Sequence, residues 1–329
     1  MFTMDKLQIF TKDDIRSEIN FRLGETRLGE EVQAVMRLED LHKFRSTFVI
    51  VGVPEDYGVL ANDGIGGAHT AWKSFLKAFL NLQQNSFLNG SDFILLGQLV
   101  LDPPRSLKIE HIRDKVALID NLLYPVIQQI MSAGKIPIVI GGGHNNAYGL
   151  IKGASLATNR KVNVINIDAH ADLRDLEGRH SGNGFSYAKE DGYLANYGIF
   201  GLQQNYITHH IQKALEYDST IFPVYYEDIL ISNYSITQQF QSLCEKTQTL
   251  DGLEIDLDCV ENLVSSASSP SGFRLDQVRE LVLRFGSKFN YLHICEGAAE
   301  LADGRINPLI GKTIAFLVSD LAKSKHNSL

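Results

Sequence analysis

The stretch VINIDAHADLR, residues 164–174, decides how this chain is read. Residues 164–167 read as the interior of a buried strand. Asp168, His170 and Asp172 then follow at alternate positions. On an extended chain alternate side chains point the same way, so these three groups are expected to face one centre. Two carboxylates and an imidazole gathered at the end of an apolar run repel one another or are poorly solvated unless a cation compensates them. The plain alternative is helix capping with solvated charge.

Two further clusters lie on either side. GGGHNNAYG (141–149) follows the apolar run IPIVI (136–140). A Gly-rich turn alone either binds phosphate or merely turns the chain, and this one lacks the GK[ST] ending of a P-loop. GLEIDLDCVE (252–261) repeats the alternate-residue spacing with Asp256 and Asp258. His144, Asp168, His170, Asp172, Asp256 and Asp258 together form a hard, oxygen-rich donor set. Such a set suits Mn2+ better than a thiolate-seeking metal, with Zn2+, Co2+ and Fe2+ remaining open. It suffices for two ions when carboxylates bridge.

The rest of the chain alternates short β-rich runs with longer helical patterns. Strands are expected at 47–53, 93–97, 136–142, 162–168, 197–202, 220–226, 252–258 and 291–296. Several are almost wholly apolar, as strands covered on both faces are. Helices are expected over 69–83, 111–134 (with a possible kink at Pro125) and 274–289, where Leu275, Val278, Leu281, Val282 and Phe285 share a face. This alternation implies an α/β protein with a mainly parallel sheet. Ligands bind at the carboxyl ends of such strands, where the polar clusters fall.

The 329 residues carry a net charge of −8 and 44% hydrophobic residues. The first argues against a general partner for nucleic acid or an anionic membrane. The second supports an ordinary core. Three cysteines, Cys244, Cys259 and Cys295, lie outside any CxxC pattern, as expected of reduced thiols. The N-terminus lacks the apolar core of a signal peptide, and no apolar run is long enough to span a bilayer. A soluble, cytoplasmic protein is expected.

The ordered set GGGH, DAHAD and DLD resembles the ureohydrolase superfamily: arginase, agmatinase and formimidoylglutamase. The similarity runs from VGVPEDYGV (51–59) to HICE (293–296). It implies a single domain over 1–329, with 1–45 as an N-terminal extension packed on it. The implied fold is the three-layer α/β/α arginase fold with about eight mainly parallel strands. It also implies two Mn2+ per chain and hydrolysis of an amidine or guanidine small molecule by a bridging hydroxide. His144, Asp168, Asp172 and Asp256 would hold one ion. Asp168, His170, Asp256 and Asp258 would hold the other, with Asp168 and Asp256 bridging and catalytic. Glu296, ending YLHICE, matches the late glutamate beside the substrate's cationic nitrogens. A trimer or hexamer is also implied.

GGGHNNAYG, DAHADLR and SGNGF (181–185) are more similar to formimidoylglutamases than to arginases. The expected reaction converts N-formimidoyl-L-glutamate to L-glutamate and formamide. Arg174, Arg179, Asn183 and Phe185 are then the expected substrate-binding residues: arginine forks for carboxylates, and an apolar wall where arginases carry histidine. The alternatives are an arginase, agmatinase or guanidino-acid hydrolase, or a catalytically silent binding protein of the same fold.

Overall fold

The computed structural model describes residues 6–326. Its centre is one sheet of nine strands: β1 (Lys6–Ile9), β2 (Phe48–Gly52), β3 (Phe93–Val100), β4 (Ile136–Ile140), β5 (Val162–Ile167), β6 (Leu194–Leu202), β7 (Ile221–Tyr225), β8 (Gly252–Asp256) and β9 (Tyr291–Cys295). They lie in the order β1-β3-β2-β4-β9-β8-β5-β6-β7. Eight strands are parallel; β1 joins β3 antiparallel, pairing Lys6 with Val100. The expected count of about eight therefore holds for the parallel part. The ninth strand comes from the N-terminal extension, whose KLQI run lacks the continuous apolar signature of a central strand.

Alternation along each strand builds two apolar layers. Ile50, Ile138, Ile140, Ile165 and Ile167 face one cluster, closed by the helices Thr70–Phe79, Leu275–Phe285 and Ile310–His326. Val49, Val51, Val139, Val162 and Val164 face the other, closed by the helices Ile109–Ser132 and Ala147–Thr158. The result is a three-layer α/β/α sandwich. Ile15, Leu28 and Val32 of the extension are buried in the first cluster. Residues 1–5 of that extension lie outside the described residues. The helix Ile109–Ser132 runs on through Pro125. No helix among the described residues is long and apolar enough to cross a membrane.

One local expectation fails. The chain after β5 is not extended: it bends at once, and Asp172 takes φ +49°, in the left-handed region. The three polar side chains converge through a turn rather than through strand alternation. An aspartate tolerates that conformation better than most residues because its short polar side chain bonds locally.

The topology brings β4, β9, β8 and β5 together at the middle of the sheet. These are the strands whose carboxyl ends carry the three clusters and Glu296.

Candidate metal centre

His144 reaches the centre on the turn after β4. Gly142 has φ +75°, and a Cβ there would lie 2.4 Å from Asn146 Nδ2 and 2.7 Å from Glu55 Oε1. Only glycine fits this crowded, left-handed position. Glu55 Oε1 accepts hydrogen bonds from the Gly143 N–H (2.8 Å) and Asn146 Nδ2 (2.9 Å), which clamps the turn. The His144 N–H donates to Glu296 Oε1 at 2.9 Å.

Two donor groups meet at the carboxyl ends of the strands. His144 Nδ1 lies 3.2 Å from Asp168 Oδ2, 2.9 Å from Asp172 Oδ2 and 3.2 Å from Asp256 Oδ2. Beside it, His170 Nδ1 lies 2.8 Å from Asp258 Oδ2 and 3.6 Å from Asp168 Oδ1. The two oxygens of Asp168 thus face different groups. Within each group, the ligating atoms fall within 4.8 Å of one another.

A divalent cation fits this arrangement better than hydrogen bonding does. His144 Nδ1 is buried and makes no hydrogen bond of acceptable geometry, despite three carboxylate oxygens within 3.2 Å. One ring nitrogen cannot serve three acceptors, whereas a cation can draw all four atoms together. Asp258 Oδ1 is likewise buried without a partner. Charge supports the same conclusion. Burial, then the charges of Asp258 and Asp168, raises Asp256 well above the usual carboxylate range. Asp172 is raised by burial and by Asp168. Burial opposes ionisation of Asp168 too, but His144 and His170 outweigh it and lower that carboxyl. Burial and mutual repulsion thus disfavour ionisation of Asp172 and Asp256, and added positive charge at the centre would offset both.

The centre forms the floor of a cavity of about 560 Å³, walled by Asn62, Arg174, Ser181, Tyr206, His210 and Glu296. Arg174 is half-exposed there; it donates to Asn62 Oδ1 (2.6 Å) and Glu177 Oε1 (3.2 Å). Glu296, at φ +61°, is pushed up to about 8 by burial and by the charges of Asp172 and Asp258. The Tyr206 ring stacks on His170, with centroids 4.6 Å apart.

Three expected substrate residues lie elsewhere. Arg179 is 6% exposed and its donors are already committed: to Asp120 (2.8 and 3.3 Å), Asn183 Oδ1 (2.8 Å) and the Asn145 carbonyl (3.0 Å). Asn183 is buried and spends its amide on the carbonyls of Asp175 and Gly178. Phe185 is also buried, stacked on Tyr197 at 4.3 Å with its edge toward His144 at 5.2 Å. It backs the metal-ligating face instead of lining the cavity. All three are tied into the scaffold: Arg179 to the distant Asp120 and Asn145, Asn183 to carbonyls of its own loop, and Phe185 to the Tyr197 ring.

Sequence reasoning marks Glu254 only as a nearby acid of GLEIDLDCVE and does not connect it into a second polar row. Asn166, Glu254 and His293 are wholly buried, each two residues before Asp168, Asp256 or Cys295. Their signal was the repeated polar-x-polar alternation NID, EID and HIC inside otherwise apolar strands.

A three-layer α/β/α sandwich that gathers two imidazole–carboxylate groups at the carboxyl ends of its central strands defines the metal-dependent ureohydrolase class. The arginase family matches residues 46–316, and the chain belongs to that family. It is 32% identical over 279 residues to the formimidoylglutamase of Macrococcus caseolyticus, covering 82% of this chain and 83% of that protein. Identity to the Geobacillus thermodenitrificans formimidoylglutamase is 28% over 308 residues, covering 88% and 87%. Among solved structures, Bacillus subtilis formimidoylglutamase superposes with TM-score 0.75 at 14% identity, covering 94% of each chain. Trypanosoma cruzi formiminoglutamase with Mn2+2 superposes with TM-score 0.71 at 17% identity, covering 91% of this chain and 98% of that one.

Proposed function

We propose that this chain hydrolyses N-formimidoyl-L-glutamate to L-glutamate and formamide, using two Mn2+ ions. It is a hydrolase of a linear amidine C–N bond. The observation that carries the reading is the pair of donor groups on the floor of a cavity whose wall holds Arg174. His144 and Asp172 would hold one ion, His170 and Asp258 the other, with Asp168 and Asp256 shared. Bound together, two divalent ions supply an activated water and neutralise charge that builds in the transition state.

The protein's own side chains do the rest. The substrate carries two carboxylates and an amidinium. The Arg174 guanidinium matches a carboxylate geometrically, and Asn62 and Glu177 hold it toward the cavity. Glu296 commits one oxygen to His144 N–H, leaving the other for the amidinium. Tyr206 covers the open side of His170 and narrows the approach.

The test is a panel of small amidines and guanidines offered to purified, Mn2+-loaded protein. Formamide release from N-formimidoyl-L-glutamate, with little urea from arginine or agmatine, is the expected result. Efficient hydrolysis of arginine or agmatine alone would overturn the substrate while leaving the metallohydrolase standing. No turnover of any member by protein holding two ions would favour a silent binding protein.

A further inference from the structure

Directly beneath the metal ligands lies the second polar row, whose role no hydrolytic step explains. Parallel pairing sets Asn166 beside Glu254, and Glu254 beside His293. The next residues on the same face are Asp168, Asp256 and Cys295. The row therefore underlies the ligands one step back along the strands.

Glu254 is the hub of this row. Its Oε1 accepts a hydrogen bond from Tyr291 Oη at 2.8 Å, and its Oε2 accepts one from His293 Nδ1 at 2.5 Å. Room for the tyrosine is made in the sequence. A Cβ at Gly252, its partner across β8 and β9, would sit 2.1 Å from the Tyr291 ring. On its other side Glu254 Oε2 faces His144 Nε2 at 3.7 Å. That is longer than a hydrogen bond, and His144 Nε2 is buried without a hydrogen-bond partner, but it places a buried carboxylate behind the imidazole, where a low local dielectric strengthens the attraction. The other ring nitrogen of His293, Nε2, is buried without a hydrogen-bond partner. The ligating atoms of His144, His293 and Cys295 all lie within 4.8 Å of one another. The inner side of His144 thus faces Glu254, His293 and Cys295, and its outer side faces the carboxylates of the proposed cation position.

We propose that Glu254 is a positioning residue: braced by Tyr291 and His293, it holds the His144 proton on Nε2 and so presents the Nδ1 lone pair to the metal. The inference rests on the metal-centre reading above. It follows the general pattern in which a metal-bound histidine turns its other nitrogen toward a carboxylate, and loss of such a partner weakens metal binding by about 10–100-fold. A purely structural Glu254 would affect folding without distinguishing one ion from the other.

The experiment is a Mn2+ titration of wild-type and Glu254→Gln proteins, read by electron paramagnetic resonance and by metal content after gel filtration. Wild type is expected to give the exchange-coupled signal of a pair. At the same Mn2+ concentration Glu254→Gln is expected to give a single-ion spectrum, with the His144 ion weakened about 10–100-fold and the His170 ion retained. Unchanged affinity for both ions and an intact pair signal would overturn the role of Glu254 but not the metal centre. A wild-type protein that never shows a pair would overturn both. Should Glu254→Gln not fold, Tyr291→Phe removes one brace without opening a large void. A several-fold loss at the same ion supports the proposal, and an unchanged titration defeats it.

Discussion

At the scale of single residues, position within the centre determines the effect of a change. Asp168 presents one oxygen to each donor group. Asp168→Ala is therefore expected to empty both metal positions and abolish turnover, whereas Arg174→Ala should leave metal content unchanged. Losing a hydrogen bond to a charged group costs about 1.5–3 kcal/mol, so KM for formimidoylglutamate should rise by roughly 10–100-fold in Arg174→Ala. Full metal content in Asp168→Ala, or an unaltered KM in Arg174→Ala, would remove the corresponding assignment. His180 supplies a pH test. Its Nδ1 accepts the Gly182 N–H, and burial, then the charges of Arg174 and Arg113, lowers it to about 4. Unfolded, it titrates near 6.5. Between these values the unfolded chain binds the extra proton, so this contribution to stability falls as pH drops from about 6.5 to about 4. Denaturant titrations of chelator-treated protein at pH 7 and pH 5 should show a smaller loss for His180→Asn than for wild type. Equal losses would mean that His180 titrates normally in the folded chain.

At the scale of elements, β8 and β9 join the core to the centre. Their residues Gly252 and Tyr291, Glu254 and His293, Asp256 and Cys295 stand in pairs. Gly252→Ala would press a methyl into the Tyr291 ring. Overpacking of this kind costs about 1–3 kcal/mol. A lower denaturation midpoint together with weaker Mn2+ binding is expected, because the clash is relieved by moving the strand pair that carries Asp256. A variant as stable as wild type would show that the two strands can separate without cost. The central strands were legible in the sequence because burial on both faces makes them continuous apolar runs. The turn at Asp172 was not, since its φ of +49° follows from packing rather than from any local glycine or proline signal.

At the scale of the whole molecule, the two apolar clusters share one sheet, and the described part of the extension packs into it. We propose that the chain is one domain stabilised by its metals. Ligands that bind only the folded state add RT ln(1 + [L]/Kd), about 2.7 kcal/mol at one hundred times Kd. Thermal unfolding should shift upward with Mn2+ concentration and return to its starting value with a chelator. A melting temperature indifferent to both would mean that the donor groups bind no ion in the folded chain.

The sequence by itself determined the α/β class, the central strands and the six metal-ligating candidates. Buried strands and hard-metal ligands each demand particular residue types at short spacing, and short spacing is visible in one dimension. The tertiary structure alone decided that Arg179 pairs with Asp120, 59 positions away, instead of lining the cavity. It likewise decided that Phe185 backs His144 and that Glu254, His293 and Tyr291 form a layer under the metal-ligating candidates. Those partners are chosen by the order of strands in the sheet. Strand order depends on how all the layers pack together, and no local stretch of the chain encodes it.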